Sequence, residues 1–273
     1  MAGSSELCFA SDSRLSSGSY IDCCQKVFSL PRGDGAIAFA GSTAIAYPFL
    51  KQVLSVLKTR KDMRERTTDF SKVPSLIRKT LNSFVDQHSV HDNEDFLNDL
   101  RSTSFLIGGW SAINQRFILR RLAFHNGAGK YVLVRKTDAS MQWGLEKRNS
   151  LNIAFAGDYI HDVIVGLKDE FEKTGVFKNL KMNYEPLTVL KKLLLNPNYT
   201  SRDGRLLRPK VKAGSIGGNI QFLKVYNYSV SNHFIVPGIL NSDENYFQGR
   251  AVLPDEKLDA PNSSPDLSHL LSP

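Results

Sequence analysis

FASDSRLSSGSYIDCCQKVFSLPRGDGAIAFAGSTAIAYPFLKQVLSVL, residues 9–57, is the stretch whose reading decides the fold. It begins inside an apolar run, 6–11 (ELCFAS), passes a charged turn holding Asp12 and Arg14, and reaches two more apolar runs, 26–30 (KVFSL) and 36–40 (AIAFA). Short apolar runs bounded by Ser, Gly and Asp clusters read as strands, so three strands are expected here, with PRGDG (31–35) turning between the last two. After Gly41, Ser42 or Thr43 is placed to cap a helix. Ala46, Phe49, Leu50, Val53, Leu54 and Leu57 then follow the spacing of one helical face, and Pro48 falls in the first turn, where a missing N–H is tolerated. Such a helix must lay its apolar stripe on a sheet.

Outward from this stretch, a charge-rich connection (58–71) leads to a second helix with Pro74 at its start and Val73, Leu76, Ile77, Leu81, Phe84 and Val85 on one face. SFLIGGW (104–110), RFILRRLAFH (116–125) and KYVLVRK (130–136) then read as an antiparallel meander, with Asn-Gly turn chemistry in HNGAG (125–129). NIAFAGD (152–158) is a short buried strand. A helix carrying Ile160, Val163, Ile164, Leu167 and Phe171 follows, then another over 186–195. NPNYTSRDGRLLRPKVKAG (196–214) reads as a long basic surface loop, and 217–228 and 231–238 as the last strands. Proline-rich 239–273 reads as a loosely attached tail to a single domain, 1–238. Strands, two helices, strands, two helices, strands pack most economically as α+β in four layers, an αββα sandwich of two antiparallel sheets between helix pairs.

Composition narrows the class. The chain is 41% hydrophobic and 23% charged, which suits a globular protein and neither a disordered nor a membrane-embedded one. No apolar run approaches the roughly 18–20 residues that span a bilayer, and the first residues lack a basic cluster before an apolar core, so a cytoplasmic protein with no membrane partner is expected. Three cysteines, two of them adjacent (Cys23, Cys24), make no disulfide framework, and neither they nor the six histidines show metal-ligand spacing. No metal and no cofactor are expected. The net charge of +8 is spread among acids, as in KTRKDMRER (58–66), so a solvated basic face is favoured over nucleic-acid binding. The five cations Arg202, Arg205, Arg208, Lys210 and Lys212 leave polyanion binding as a minor expectation.

The order of these pieces resembles the proteasome-type N-terminal nucleophile hydrolases, the proteasome β subunits and their bacterial relatives. Ala10, Asp12 and Arg14 stand as in the family's Ala-x-Asp-x-Arg strand end, and Lys26, Val27 and Phe28 as in its later lysine-bearing strand. AFAGSTAIA (38–46), FLIGGWSAINQRFILRRL (105–122), IAFAGD (153–158) and SIGGNIQFLKVY (215–226) are similar to further family segments, so the likeness covers most of residues 6–228. It implies the αββα fold, threonine-type peptidase chemistry and assembly with copies of itself or with paralogous subunits. In that family an N-terminal threonine attacks the amide while its own α-amino group, with a pKa of about 8, takes the proton. The resemblance places Lys26 where a lysine favours the ionised nucleophile and Asp12 where an aspartate holds that lysine. Ala38 falls at the backbone oxyanion donor, and Ser215 and Asp158 at supporting polar groups near the nucleophile.

One departure is plain. The family's threonine begins a strand of its own ahead of the aspartate-bearing strand, whereas MAGSSELCFAS, the eleven residues before Asp12, accounts for one turn and one strand. Ser4 and Ser5 fall in the turn, and Cys8 reads as a small core residue. The chain is therefore expected to be inactive as given, through truncation or a misassigned start, or else to be a noncatalytic subunit of a ring or assembly.

Plainer readings apply to several residues. Asp12 and Arg14 could pair with one another at the surface, and Lys26 could be a snorkelling edge lysine. Gly217 and Gly218 read as allowing close backbone approach rather than phosphate binding. No Gly-x-Ser-x-Gly elbow is present for a serine triad.

Overall fold

The computed structural model describes residues 6–17, 19–87, 94–134, 140–146, 149–176, 184–195, 216–227, 231–238 and 244–261. Along the chain run β1 (Glu6–Ser11), β2 (Leu15–Ser17), β3 (Ser19–Ile21), β4 (Val27–Ser29), β5 (Gly35–Ala40), α1 (Thr43–Thr59) and the short α2 (Lys61–Arg64). Then come α3 (Val73–Gln87), α4 (Glu94–Ser102), β6 (Ser104–Ser111), β7 (Arg116–His125), β8 (Lys130–Val134), β9 (Ser140–Glu146) and β10 (Asn149–Ala154). The remainder is α5 (Ile160–Thr174), α6 (Glu185–Leu195), β11 (Gln221–Tyr226), β12 (Ser231–His233), β13 (Ile235–Pro237), β14 (Asn245–Phe247) and β15 (Arg250–Ala251). The fold is mixed α+β with several antiparallel sheets. It divides into two compact units, Met1–Leu7 with Phe28–Gly157 and Val225–Ser231, and Cys8–Val27 with Asp158–Lys224 and Asn232–Pro273.

In the first unit, β4-β5-β6-β7-β8 form one sheet, in which β5 to β8 pair antiparallel in sequence order, as the meander pattern implies. The apolar stripe of α1 (Ile45, Ala46, Phe49, Leu50, Val53, Leu57) is buried, and so is that of α3 (Val73, Ile77, Leu81, Val85). Phe49 of α1 meets Phe84 of α3 edge-on with ring centroids 4.7 Å apart, and packs on Phe105 and Tyr131 of the sheet. Gly35 and Gly109 are cross-strand partners because the Phe70 ring lies over them, and a Cβ at either position would stand 2.3 Å from that ring. Gly109 of β6 is thus a packing requirement. The edge strand β8 is closed by Asn82 of α3, whose side chain accepts from the Tyr131 N–H (2.8 Å) and donates to its carbonyl (3.0 Å).

Two local expectations change. Ser42 stands at the N-cap of α1, but its side chain makes no capping bond; its N–H instead donates to Thr103 Oγ1 (3.0 Å). The connection at 58–71 contains α2, closed by Asp62, whose carboxylate accepts from the Thr68 hydroxyl and whose carbonyl accepts from the Thr68 N–H. Asp69 closes the next turn: it accepts from the Ser71 N–H (2.8 Å), the Ser111 hydroxyl (2.7 Å) and the Ile113 N–H (3.1 Å). Burial alone would raise the Asp69 pKa, but these hydrogen bonds outweigh it and hold the carboxyl well below its ordinary range.

In the second unit, Cys8, Ile220, Phe222, Phe234 and Val236 pack with Leu187 of α6 into one apolar cluster, with the Phe222 and Phe234 rings 5.5 Å apart. Cys8 is the small core residue expected of it. Most of the sheet β1-β11-β12 belongs to this unit. α5 and α6 are joined by Lys192, which donates to Glu170 at 2.6 Å. The proline-rich stretch read as a tail carries structure over 244–261: β14 pairs antiparallel with β13 and with β15, and the Ile235 N–H donates to the Pro261 carbonyl (3.0 Å). The basic loop at 196–214 lies outside the described residues.

Candidate functional site

β1 ends at Ser11, and the turn after it carries the Asp12 carboxylate. Lys26 Nζ donates to Asp12 Oδ1 at 2.8 Å, with both side chains only 12% exposed. The other carboxylate oxygen, Oδ2, accepts the Gly217 N–H (3.1 Å) and the Arg14 N–H (3.3 Å). Asp12 is therefore fixed from three directions, and Lys26 is fixed by Asp12.

The neighbouring charge pair is separate. Arg14 forks onto Asp22, Nε to Oδ1 at 2.5 Å and Nη2 to Oδ2 at 2.7 Å, while its guanidinium lies 4.7 Å from the Tyr20 ring centroid. This pair ties the two ends of the β2–β3 hairpin together, in which Leu15 pairs with Ile21. Hydrogen bonding from Arg14 holds the Asp22 carboxyl below its usual range, and the same contact raises the Arg14 pKa. The Asp12–Arg14 surface pairing considered above is not formed between side chains; Arg14 gives Asp12 only its main-chain N–H.

Three residues that the sequence did not single out build the rest. Gln221, at the start of β11 and 1% exposed, grips the chain opposite: its Oε1 accepts from the Lys26 N–H (2.8 Å) and the Val27 N–H (3.2 Å), and its Nε2 donates to the Cys24 carbonyl (2.6 Å). Ser13 is fully buried, donating to the Asp22 carbonyl (2.5 Å) and accepting from the Asn219 N–H (2.8 Å). Gly249, with φ +90°, lies so close that a Cβ there would stand 2.6 Å from Ser13 Cβ. Gly217 and Gly218 allow close approach, as expected: a Cβ on Gly217 would strike the Arg14 guanidinium at 2.2 Å, and Gly218 has φ +70°. No local signal marks Gln221, whose partners stand nearly two hundred positions earlier, or Ser13, whose hydroxyl also takes the distant Asn219 N–H.

Two of the other residues drawn from the resemblance are among the described residues. Ala38 lies in β5 opposite Leu106, in the first unit. Asp158 is exposed ahead of α5 and makes no hydrogen bond to the described residues around Asp12. Ser215 lies outside the described residues. Among the described residues no group of three His, Cys, Asp or Glu is arranged to hold a metal ion, and no helix is long and apolar enough to cross a membrane.

Chemically, the pair offers a fixed, partly desolvated ammonium. Lys26 Nζ makes one hydrogen bond among the described residues, leaving donors for an incoming oxygen or nitrogen. A positive charge held in that way favours the ionised form of a neighbouring hydroxyl or thiol and a developing negative charge. The chain matches no protein-family model and no curated protein.

Proposed function

We propose that this chain is a proteasome-like N-terminal nucleophile hydrolase, a four-layer αββα sandwich in which Lys26 and Asp12 are the support of an amide-hydrolysing site that takes peptides. The observation that carries the reading is the 2.8 Å Lys26–Asp12 contact, with the remaining Asp12 oxygen saturated by main-chain N–H groups. An aspartate held in that way orients the lysine without taking up its other hydrogens. Among the described residues no hydroxyl or thiol side chain bonds to Lys26, and the proposal is that the chain in this form is inactive. Such a protein would act in the cytoplasm, without metal or cofactor. The test uses fluorogenic peptides and a threonine-directed covalent inhibitor at neutral pH, on this chain and on one with a threonine-led strand joined ahead of residue 6. The reading expects no signal from the first and Lys26-dependent turnover from the second. Turnover by the first, or none by the second, overturns it.

A second reading, a noncatalytic subunit assembling with copies of itself or with paralogues, is favoured by apolar side chains left in water: Tyr20 (59% exposed) and Ile21 (49%) on β3, and Ile113 (77%) in the β6–β7 turn. Light scattering after size exclusion separates the two, since a monomer at all concentrations with no co-purifying partner removes the assembly reading.

A further inference from the structure

Between the two charge pairs lies a feature that amide hydrolysis does not use. Cys23 and Cys24 are adjacent cysteines outside any disulfide, Cys23 exposed and Cys24 half-buried, in the segment joining Asp22 to Lys26. The main chain of that segment is held almost throughout. The Asp22 carbonyl accepts from Ser13 Oγ (2.5 Å), the Cys24 N–H donates to the Ser13 carbonyl (3.1 Å), the Cys24 carbonyl accepts from Gln221 (2.6 Å), and the Lys26 and Val27 N–H groups donate to Gln221. Whatever turns the peptide between the two cysteines breaks the Cys24 N–H contact with Ser13 directly, and by shifting Cys24 it strains the next contact along the chain, the Cys24 carbonyl on Gln221, the same side chain that holds the Lys26 N–H.

We propose that Cys23 and Cys24 are a redox site, oxidised by a low-molecular-weight disulfide, whose closure displaces Lys26 from Asp12. The chemistry balances in two exchanges. The exposed Cys23 thiolate attacks the reagent disulfide, forming a mixed disulfide and releasing one thiol; the Cys24 thiolate then attacks Cys23 Sγ, closing the ring and releasing the second. Two protein thiols are oxidised and one small disulfide is reduced. Closure cannot leave the peptide as it is. Adjacent Cα atoms lie about 3.8 Å apart across a trans peptide, shorter than the roughly 4.4–6.8 Å of ordinary disulfides. The ring must twist the Cys23–Cys24 peptide, turning the Cys24 N–H away from the Ser13 carbonyl, and as the Cys24 Cα shifts with it the adjoining Cys24 carbonyl is drawn from Gln221. The strain makes the bond easily reduced, as suits a reversible site and not a structural one.

The significance for activity rests on the hydrolase reading, but the site itself is measured without turnover. The full chain is equilibrated with oxidised glutathione across a series of glutathione ratios. Intact mass and peptide mapping follow the thiols, and acetic anhydride labelling followed by mapping reads the exposure of Lys26. The expected result is loss of two hydrogens mapped to the peptide holding Cys23 and Cys24, reversal by reduced glutathione, and a several-fold rise in Lys26 acetylation in the oxidised form. Buried Cys8 serves as the internal unreactive thiol. Cys24→Ser should stop at the mixed disulfide on Cys23, with Lys26 labelling unchanged. Accumulation of the mixed disulfide in the unsubstituted chain overturns ring closure, and ring closure with unchanged Lys26 labelling overturns the coupling. Failure of the peptidase assay alone touches neither result.

Discussion

Replacing Gln221 by Met removes a side chain that satisfies three main-chain groups at 3.2 Å or less while keeping its approximate volume. The Val27 N–H is buried, so losing its acceptor costs the desolvation of an orphaned donor, about 1–3 kcal/mol. The Lys26 N–H and the Cys24 carbonyl are partly buried and recover some hydration, adding roughly 1–2 kcal/mol together. The sum, about 3 kcal/mol, is a large part of the roughly 5–15 kcal/mol that holds a typical protein folded. Urea denaturation followed by tryptophan fluorescence would show the midpoint falling with little change in slope, and hydrogen exchange would show lost protection at Lys26 and Val27 before any elsewhere. Gln221→Glu sharpens the test. It keeps an acceptor for both N–H groups but sets a carboxylate against the Cys24 carbonyl, so its penalty should shrink as the pH is lowered and the introduced carboxyl gains a proton to donate. A Gln221→Met protein within about 1 kcal/mol of the unsubstituted chain, with Lys26 and Val27 still protected, would refute the claim that this amide holds the segment.

Asp12→Ala orphans the buried Gly217 N–H and leaves Lys26 unpaired, and should cost about 2–4 kcal/mol in urea denaturation, whereas Lys26→Met, which leaves Asp12 its two main-chain donors, should cost roughly 1 kcal/mol. Gly249→Ala adds a Cβ 2.6 Å from Ser13 Cβ at φ +90°, and should lower stability by about 1–3 kcal/mol, read as a fall in melting temperature. Burial pushes the His233 imidazole down from 6.5 to about 4. The unfolded chain therefore binds a proton that the folded chain refuses between those values, and stability should rise with pH from about 4 to 6.5 and level off above; the whole effect is about 3 kcal/mol. His233→Phe should flatten that part of the curve, and an unchanged slope removes His233 as its cause. Asp69→Ala removes the acceptor shared by Ser71, Ser111 and Ile113, and should cost roughly 1–2 kcal/mol. The Asp69 pKa is depressed when folded, so its contribution should disappear only as the pH falls below the ordinary carboxylate range.

What could be read from the chain beforehand follows the range of each interaction. The apolar stripes of α1 and α3 and the meander β6–β8 are periodic in sequence, so local spacing reveals them. α4 was missed because only Leu100 of its residues is fully buried, and a helix held by the Glu94–Arg101 pair leaves little apolar trace. β14 and β15 were hidden by the prolines around them. Gln221 lies in GGNIQFLKVY, where an amide looks like the solvent side of a strand; its partners stand nearly two hundred positions earlier, and no local rule spans that distance.

The charge pairs show why sequence proximity alone does not set a pairing. Asp12 and Arg14 are two residues apart and opposite in sign, yet each takes another partner. Asp12 Oδ2 is already occupied by the N–H groups of Gly217 and of Arg14 itself, which leaves Oδ1 as the carboxylate's one open side. A single open oxygen suits the point charge of an ammonium and not the two-pronged guanidinium, which needs both oxygens to make its stronger contact. Asp22 offers both, and Arg14 takes them. The Gly217 N–H therefore selects the pairing: by filling one oxygen of Asp12 it steers arginine to Asp22 and reserves Asp12 for Lys26. A Cβ at Gly217 would displace the guanidinium from Asp22, so Gly217→Ala should disturb Lys26 as well, although the two never touch.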